Sequence, residues 1–145
     1  MIGVSVTGRP EEPGRRPDDA SLTMRLVSET AELAPARQFV RATLGEWGLA
    51  DQAAEFVLAV SELVTNALSH GAGDVDVTVG LHGDRVRLAV GDEGFGPEPI
   101  RCGEPAITGG GGWGLRLVDG LSDSWGAHRV PGRTLVWMER RLTGD

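Results

Sequence analysis

The most informative segment of this chain is the run Glu62-Leu63-Val64-Thr65-Asn66-Ala67-Leu68-Ser69-His70. Apolar residues recur in it and upstream of it at helical spacing, which predicts an amphipathic helix that Asp51 caps and that ends near Ser69. On the side opposite the apolar stripe, polar residues recur at every fourth position and are therefore neighbours on the helix surface. These polar residues are Glu62, Asn66 and His70, and the stripe consists of Val57, Val60, Leu63, Val64, Ala67 and Leu68.

The side chains of Glu62 and Asn66 suit a site that binds a metal and phosphate. A carboxamide oxygen is a hard ligand for Mg²⁺, which takes its other ligands from water and phosphate. The neighbouring carboxylate can orient or deprotonate an attacking hydroxyl group. The same spacing is also common on solvated helix faces that have no function. His70 continues the polar side or simply places a cation at the helix C-terminus.

A second cluster, Asp92-Glu93-Gly94-Phe95-Gly96, follows the alternating strand pattern of Val86–Val90. An acceptor at a strand end suits the exocyclic amine of adenine, and Gly94 and Gly96 let the backbone pass close under a flat base. Asp-Glu-Gly is also ordinary turn chemistry, so a plain turn stays open at this point. Thr134, in the last predicted strand, either helps Asp92 to hold the base or is a typical strand threonine.

The third cluster is the glycine run Gly109–Gly112, followed by Trp113-Gly114-Leu115. Consecutive glycines are costly to order, and here they precede apolar residues that begin a predicted helix. Free N–H groups at a helix N-terminus attract phosphate, which makes this run a candidate phosphate site. A loop without a ligand is the alternative. The chain contains no Gly-x-x-x-x-Gly-Lys-Ser/Thr motif, so the phosphate site is of a different kind.

The order of helical and alternating patterns predicts the fold class. A strand, two helices, a hairpin, a Gly- and Pro-rich loop, a helix and two strands follow one another, which favours an antiparallel or mixed sheet with helices on one face. Pro, Gly and charged residues without periodicity predict a disordered tail over residues 1–20, ahead of one domain over residues 21–145. The predicted elements are 21–27, 29–47, 51–69, 75–79, 86–90, 113–121, 124–128 and 134–139.

Length, charge and cysteine content exclude several classes of function. A chain of 145 residues suffices for one domain with its own core. Its net charge of −7 argues against a nucleic-acid partner, because phosphate backbones require a basic surface. The sequence has no apolar run that would span a membrane and no apolar segment of a signal peptide at its start. With Cys102 as the single cysteine, a cytoplasmic protein is expected.

Taken together, the three clusters resemble the ATP-binding fold of the GHKL superfamily, which includes gyrase, histidine kinases and mismatch-repair ATPases. Glu62-x-x-x-Asn66 is similar to its N box, Asp92-x-Gly94-x-Gly96 to its first glycine box and Gly112-x-Gly114-Leu115 to its second. Within the superfamily the chain resembles the stand-alone anti-sigma factor serine/threonine kinases of the RsbW and SpoIIAB type, in their actinobacterial branch. The stretches that carry this likeness are 59–67, 114–119 and 132–137.

The resemblance implies a fold, a ligand and residue roles. The fold is a two-layer α/β (α+β) sandwich of the Bergerat type, and the ligand is ATP with Mg²⁺. Asn66 is the expected Mg²⁺ ligand, Glu62 the expected general base and Asp92 the expected adenine acceptor. The remaining expected ATP-binding residues are Gly94, Gly96, Gly110, Gly111, Gly112, Trp113, Gly114, Leu115 and Thr134.

The resemblance also implies an activity and partners. It implies a kinase that phosphorylates a serine or threonine of an anti-sigma factor antagonist of the STAS type, with a sigma factor as a further partner and a homodimer as the assembly. Related kinases often carry a basic residue beside the second glycine box, where this chain has Gly111-Gly112-Trp113. A cation there stabilises charge on the transferred phosphoryl group. The alternative hypotheses are therefore an ATP-binding switch that regulates its partner by binding alone, and a purely structural domain.

Overall fold

The chain was described from a computed structural model that covers residues 3–7, 19–27, 31–70, 72–93, 112–130 and 132–142. Six strands, three α-helices and one turn of 3₁₀-helix lie in these ranges. The strands are β1 Gly3–Thr7, β2 Asp19–Leu26, β3 Val75–His82, β4 Arg85–Asp92, β5 Ser124–Val130 and β6 Arg133–Arg141. The helices are α1 Leu33–Glu46, α2 Ala53–His70 and α3 Gly112–Leu121, and the 3₁₀ turn is Ala50–Gln52.

The strands form one sheet in the order β1-β2-β3-β4-β6-β5, and each described pair of neighbours is antiparallel. Alternate residues of β3 and β4 are buried on one face, where α1, α2 and α3 pack. This arrangement confirms the predicted α/β fold with helices on one face. The other face of the sheet has no helix over it in the described part of the chain.

The core lies between the sheet and the helices because the apolar stripes of both meet there. Phe56, Val60 and Val64 of α2 are fully buried against the inward residues of β3 and β4. Burial of one such side chain stabilises the fold by about 1.5–3 kcal/mol. Val40 and Leu44 of α1 are also fully buried in this core. The apolar stripe of α2 faces the core, so the side chains that flank the stripe are only partly buried. Glu62 and Asn66 are among these half-exposed side chains.

Two local predictions are wrong. Residues 3–7 form a strand that pairs with β2, although a disordered tail was expected over residues 1–20. The alternating sequence Gly3-Val4-Ser5-Val6-Thr7 is favourable for a strand once β2 offers a free edge. Asp51 does not cap α2 but lies within the 3₁₀ turn that leads into it. Residues 8–18 of the predicted tail lie outside the described residues.

Candidate functional site

One side of α2 carries three polar residues, Glu55, Glu62 and Asn66. Spacings of seven and four residues return to nearly the same side of a helix, so these residues form one line along α2. The carboxylate of Glu55 lies 2.8 Å from the guanidinium of Arg140 in β6. This ion pair shows that the polar side of α2 faces β6.

The other end of α2 is fastened to the end of β4 through Glu93. Its backbone N–H donates to the carbonyl of Ala72 over 2.8 Å. Its carboxylate accepts a hydrogen bond of 2.9 Å from the backbone N–H of Asp74. We call these two hydrogen bonds the Glu93 clasp. The clasp holds the residue that follows Asp92 against the loop that follows α2.

The ion pair and the clasp align α2 with the sheet at both ends. From Glu55 to Asn66 the helix rises about 17 Å, and from Arg140 back to Thr134 the strand covers about 20 Å. Because these lengths are similar, we expect Asn66 to lie near the level of Thr134. On this estimate the polar side of α2 ends close to Asp92 and Thr134.

Asp92 is the last residue of β4 and is only 7% exposed. It continues the inward face of the strand after Val86, Leu88 and Val90, so its carboxylate lies at the rim of the core on the helix side. Thr134 is its direct cross-strand neighbour in β6. Within the described residues Asp92 is the one buried residue that carries a charge. Such a group is costly to bury, which marks it as a functional candidate.

Helix α3 begins at Gly112, one residue before its predicted start, and packs against α2. Val118 inserts into the core, and the indole N–H of the buried Trp125 donates to the Asp119 carboxylate over 2.7 Å. These contacts fix the C-terminal half of α3. Of Gly112, Trp113, Gly114 and Leu115 only the backbone is described. Four other predicted site residues lie outside the described residues, namely Gly94, Gly96, Gly110 and Gly111.

Sequence reasoning missed the residues that hold the site in place. Glu93 and Gly73 carry no local sequence signal beyond that of a turn. Gly91 interrupts an apolar strand, and a glycine in that position signals close approach of another group. The ion pair between Glu55 and Arg140 has no local signal, because it joins residues far apart in sequence.

The chain matches the family of the histidine kinase-like ATPase domain over residues 26–140. The chain belongs to this family. The matched range of this histidine kinase-like ATPase domain includes Glu62, Asn66, Asp92 and Thr134, together with the whole of α3. Family membership supports ATP as the ligand and confirms the superfamily that the three clusters predicted. No curated protein matches the chain.

Two features are absent from the described residues of this histidine kinase-like ATPase domain. None of its described helices is long and apolar enough to cross a membrane. No group of three or more His, Cys, Asp or Glu side chains that could hold a metal occurs in the described ranges.

We expect Gly73→Ala to destabilise the fold more than Gly83→Ala. Both glycines have a positive φ, 71° and 62°, where a side chain costs about 1–3 kcal/mol. A Cβ on Gly73 would also lie 1.9 Å from the Glu93 carboxylate, whereas one on Gly83 meets nothing within 4 Å. The extra loss for Gly73→Ala is about 1 kcal/mol, the value of one hydrogen bond. Urea unfolding of both variants measures it, and equal losses would contradict the role of the Glu93 clasp.

Proposed function

We propose that this protein binds Mg-ATP and transfers the γ-phosphate to a serine or threonine of a partner protein, as a regulatory kinase of the anti-sigma factor type. The proposal is supported by two polar pairs on elements whose ends the Glu93 clasp connects. Glu62 and Asn66 come from α2, and Asp92 and Thr134 come from neighbouring strands. All four residues lie within the range that matches the histidine kinase-like ATPase domain.

The residues at this end match the chemical groups of ATP. The Asp92 carboxylate accepts from the exocyclic amine of adenine, and the Thr134 hydroxyl supports it from the adjacent strand. Burial of Asp92 makes that hydrogen bond strong, because water competes for it less. The glycine boxes, with Gly94 and Gly96 on one side and Gly110, Gly111, Gly112 and Gly114 on the other, allow close backbone approach to the nucleotide. Trp113 and Leu115 complete the proposed phosphate-binding segment.

We assign Asn66 and Glu62 to the phosphate groups of ATP. The amide oxygen of Asn66 would hold Mg²⁺, which when bound neutralises charge on the phosphates. Glu62 lies one helical turn away and accepts the proton of the attacking hydroxyl group. The serine or threonine oxygen bonds to the γ-phosphorus while the bond to the β–γ bridging oxygen breaks. ADP leaves with that electron pair.

The proposed partners follow from the resemblance to the anti-sigma factor kinases. We propose an anti-sigma factor antagonist of the STAS type as the phosphate acceptor and a sigma factor as a second, sequestered partner. A homodimer and a cytoplasmic location belong to the same proposal. Copurification of this protein with each partner class from the source cell tests these assignments separately from ATP binding.

An ATP-binding switch without phosphoryl transfer is the second candidate. The observation that favours it is the absence of a basic residue within Gly109–Leu115. The nearest basic residue of α3 is Arg116, which is exposed. A switch would bind ATP and its partner but leave the partner unmodified. Transfer of radiolabel from ATP to an antagonist protein would decide for the kinase.

We expect Asn66→Ala to weaken Mg-ATP binding at least about tenfold, since even outer-shell changes at metal sites cost that much. Isothermal titration calorimetry with Mg²⁺ and with excess chelator measures the effect. Gln38→Ala removes an amide from an exposed position of α1 and is the matched control, with unchanged affinity. If Asn66→Ala lost the same affinity with chelator present, Asn66 would not act through the metal. A wild-type protein that is folded but binds no Mg-ATP would exclude the proposed function.

A further inference from the structure

An ion pair lies on the outer face of the sheet directly behind Asp92 and Thr134. The guanidinium of Arg133 in β6 reaches across β4 to the carboxylate of Asp76 in β3, at 2.8 Å. The two side chains are only 24% and 25% exposed. Asp76 also binds Arg25 of β2 at 3.1 Å, and this hydrogen bond raises the pKa of Arg25 above its ordinary value.

Gly91 is the residue over which Arg133 passes. It is the register partner of Asp76 on one side and of Leu135 on the other. A Cβ on Gly91 would lie 3.3 Å from the Nε of Arg133 and 3.2 Å from a methyl group of Leu135. The lack of a side chain at this position is therefore what gives the guanidinium its path across β4.

Each outer-face residue is the chain neighbour of a proposed adenine-site residue. Gly91 precedes Asp92, and Arg133 precedes Thr134. Because successive strand residues point to opposite faces, the ion pair lies on one side of the sheet and the adenine site on the other. We propose that Arg133 is a positioning residue that holds Thr134 in register with Asp92 and thereby sets the selectivity for adenine. The selectivity part rests on the proposed function.

We expect the ion pair to stabilise the strand register most at the start of β6. Arg133 is the first residue of the strand and follows Gly132, a turn residue with φ of 75°. Strand ends open easily when few contacts hold them. The ion pair with Asp76 connects this end to a strand two positions away in the sheet. Without it, we expect the pairing of Thr134 with Asp92 to open more readily, because only the backbone pairing with β4 and β5 would then hold this end.

The test compares Arg133→Met with Arg25→Met. Both variants remove a guanidinium from the same carboxylate and keep an unbranched side chain. Arg25 lies on the β2 side, is 53% exposed and does not reach β4 or β6. It therefore controls for the general cost of losing an ion pair to Asp76. Arg133→Lys keeps the charge without the planar fork and tests partial rescue.

We expect Arg133→Met to lower the ratio of ATP to GTP affinity about tenfold, the equivalent of one hydrogen bond. Arg25→Met should leave this ratio unchanged, and Arg133→Lys should restore part of it. In the nucleotide-free protein, amide hydrogen exchange at residues 134–136 should accelerate in Arg133→Met alone. The affinity ratio measures recognition of the base, and the hydrogen exchange measures opening of β6.

The two readouts separate failure of this inference from failure of the proposed function. If wild type binds ATP selectively and both Met variants keep that selectivity, the positioning role of Arg133 is overturned while the ATP site stands. If no nucleotide binds, the proposed function fails, and the selectivity role fails with it. Unchanged hydrogen exchange at residues 134–136 in Arg133→Met would show that Arg133 does not hold β6 in register, whether or not the protein binds nucleotide.

Discussion

Glu62→Gln is expected to reduce phosphoryl transfer to the partner at least about 100-fold, the lower end of what a general base contributes. The substitution keeps the size and polarity of the side chain but removes its ability to accept a proton. Within the described parts of the chain, Glu62 takes part in none of the ion pairs. Mg-ATP affinity should remain within about twofold, because the base acts on the attacking hydroxyl.

Glu55→Gln is the matched control for this experiment. Glu55 lies on the same side of α2, but its carboxylate is engaged with Arg140. Its loss should lower stability by at most about 1 kcal/mol, since both side chains are partly exposed. Transfer of radiolabel from ATP to an antagonist protein should be unchanged. Full transfer by Glu62→Gln would remove Glu62 from the mechanism, and wild type that binds partner and ATP without transfer would favour the switch.

The sequence was sufficient for the parts of the site that depend on local periodicity. The helical stripe of α2 predicted that Glu62 and Asn66 share a side, and the structure places them there. Alternation in β4 predicted that Asp92 ends a strand, which is confirmed. The helix after the glycine run begins at Gly112, one residue before its predicted start at Trp113. These features follow from the 3.6-residue and two-residue repeats.

Long-range contacts could not be predicted because nothing local specifies them. The register that places Thr134 beside Asp92 depends on β6 returning between β4 and β5. The Glu93 clasp joins the loop after α2 to the end of β4. Strand β1 was missed because the Pro- and Gly-rich composition of residues 8–18 dominated the interpretation of the whole tail.

The residues proposed to bind adenine and the residues proposed to position them lie on opposite faces of one sheet. On the inner face, Asp92 lies at the rim of the core and Thr134 is its cross-strand neighbour. On the outer face, the Arg133–Asp76 ion pair crosses the glycine that precedes Asp92. We therefore expect a substitution on the outer face to alter the candidate site without contacting a ligand. Selectivity for the base and capacity for transfer should separate experimentally, since the first is assigned to Asp92 and Thr134 and the second to Glu62.

Asp92→Asn is expected to weaken ATP binding about 10- to 100-fold, since hydrogen bonds to charged groups contribute about 1.5–3 kcal/mol. Asparagine has nearly the same shape as aspartate, so the packing at the rim of the core is retained. It also presents an N–H₂ group, which donates to the carbonyl oxygen of guanine and opposes the amine of adenine. The ratio of ATP to GTP affinity should therefore fall, and calorimetric titration with both nucleotides measures it.

Asp84→Asn makes the same chemical change at a place where adenine recognition is not expected. Asp84 lies in the hairpin turn at the opposite end of β4, is exposed and pairs with Arg141. Its substitution should leave both nucleotide affinities unchanged. A uniform loss of ATP and GTP affinity in Asp92→Asn would mean that Asp92 shapes the pocket without reading the base. Unchanged ATP affinity in a folded Asp92→Asn protein would place the adenine at another part of the domain.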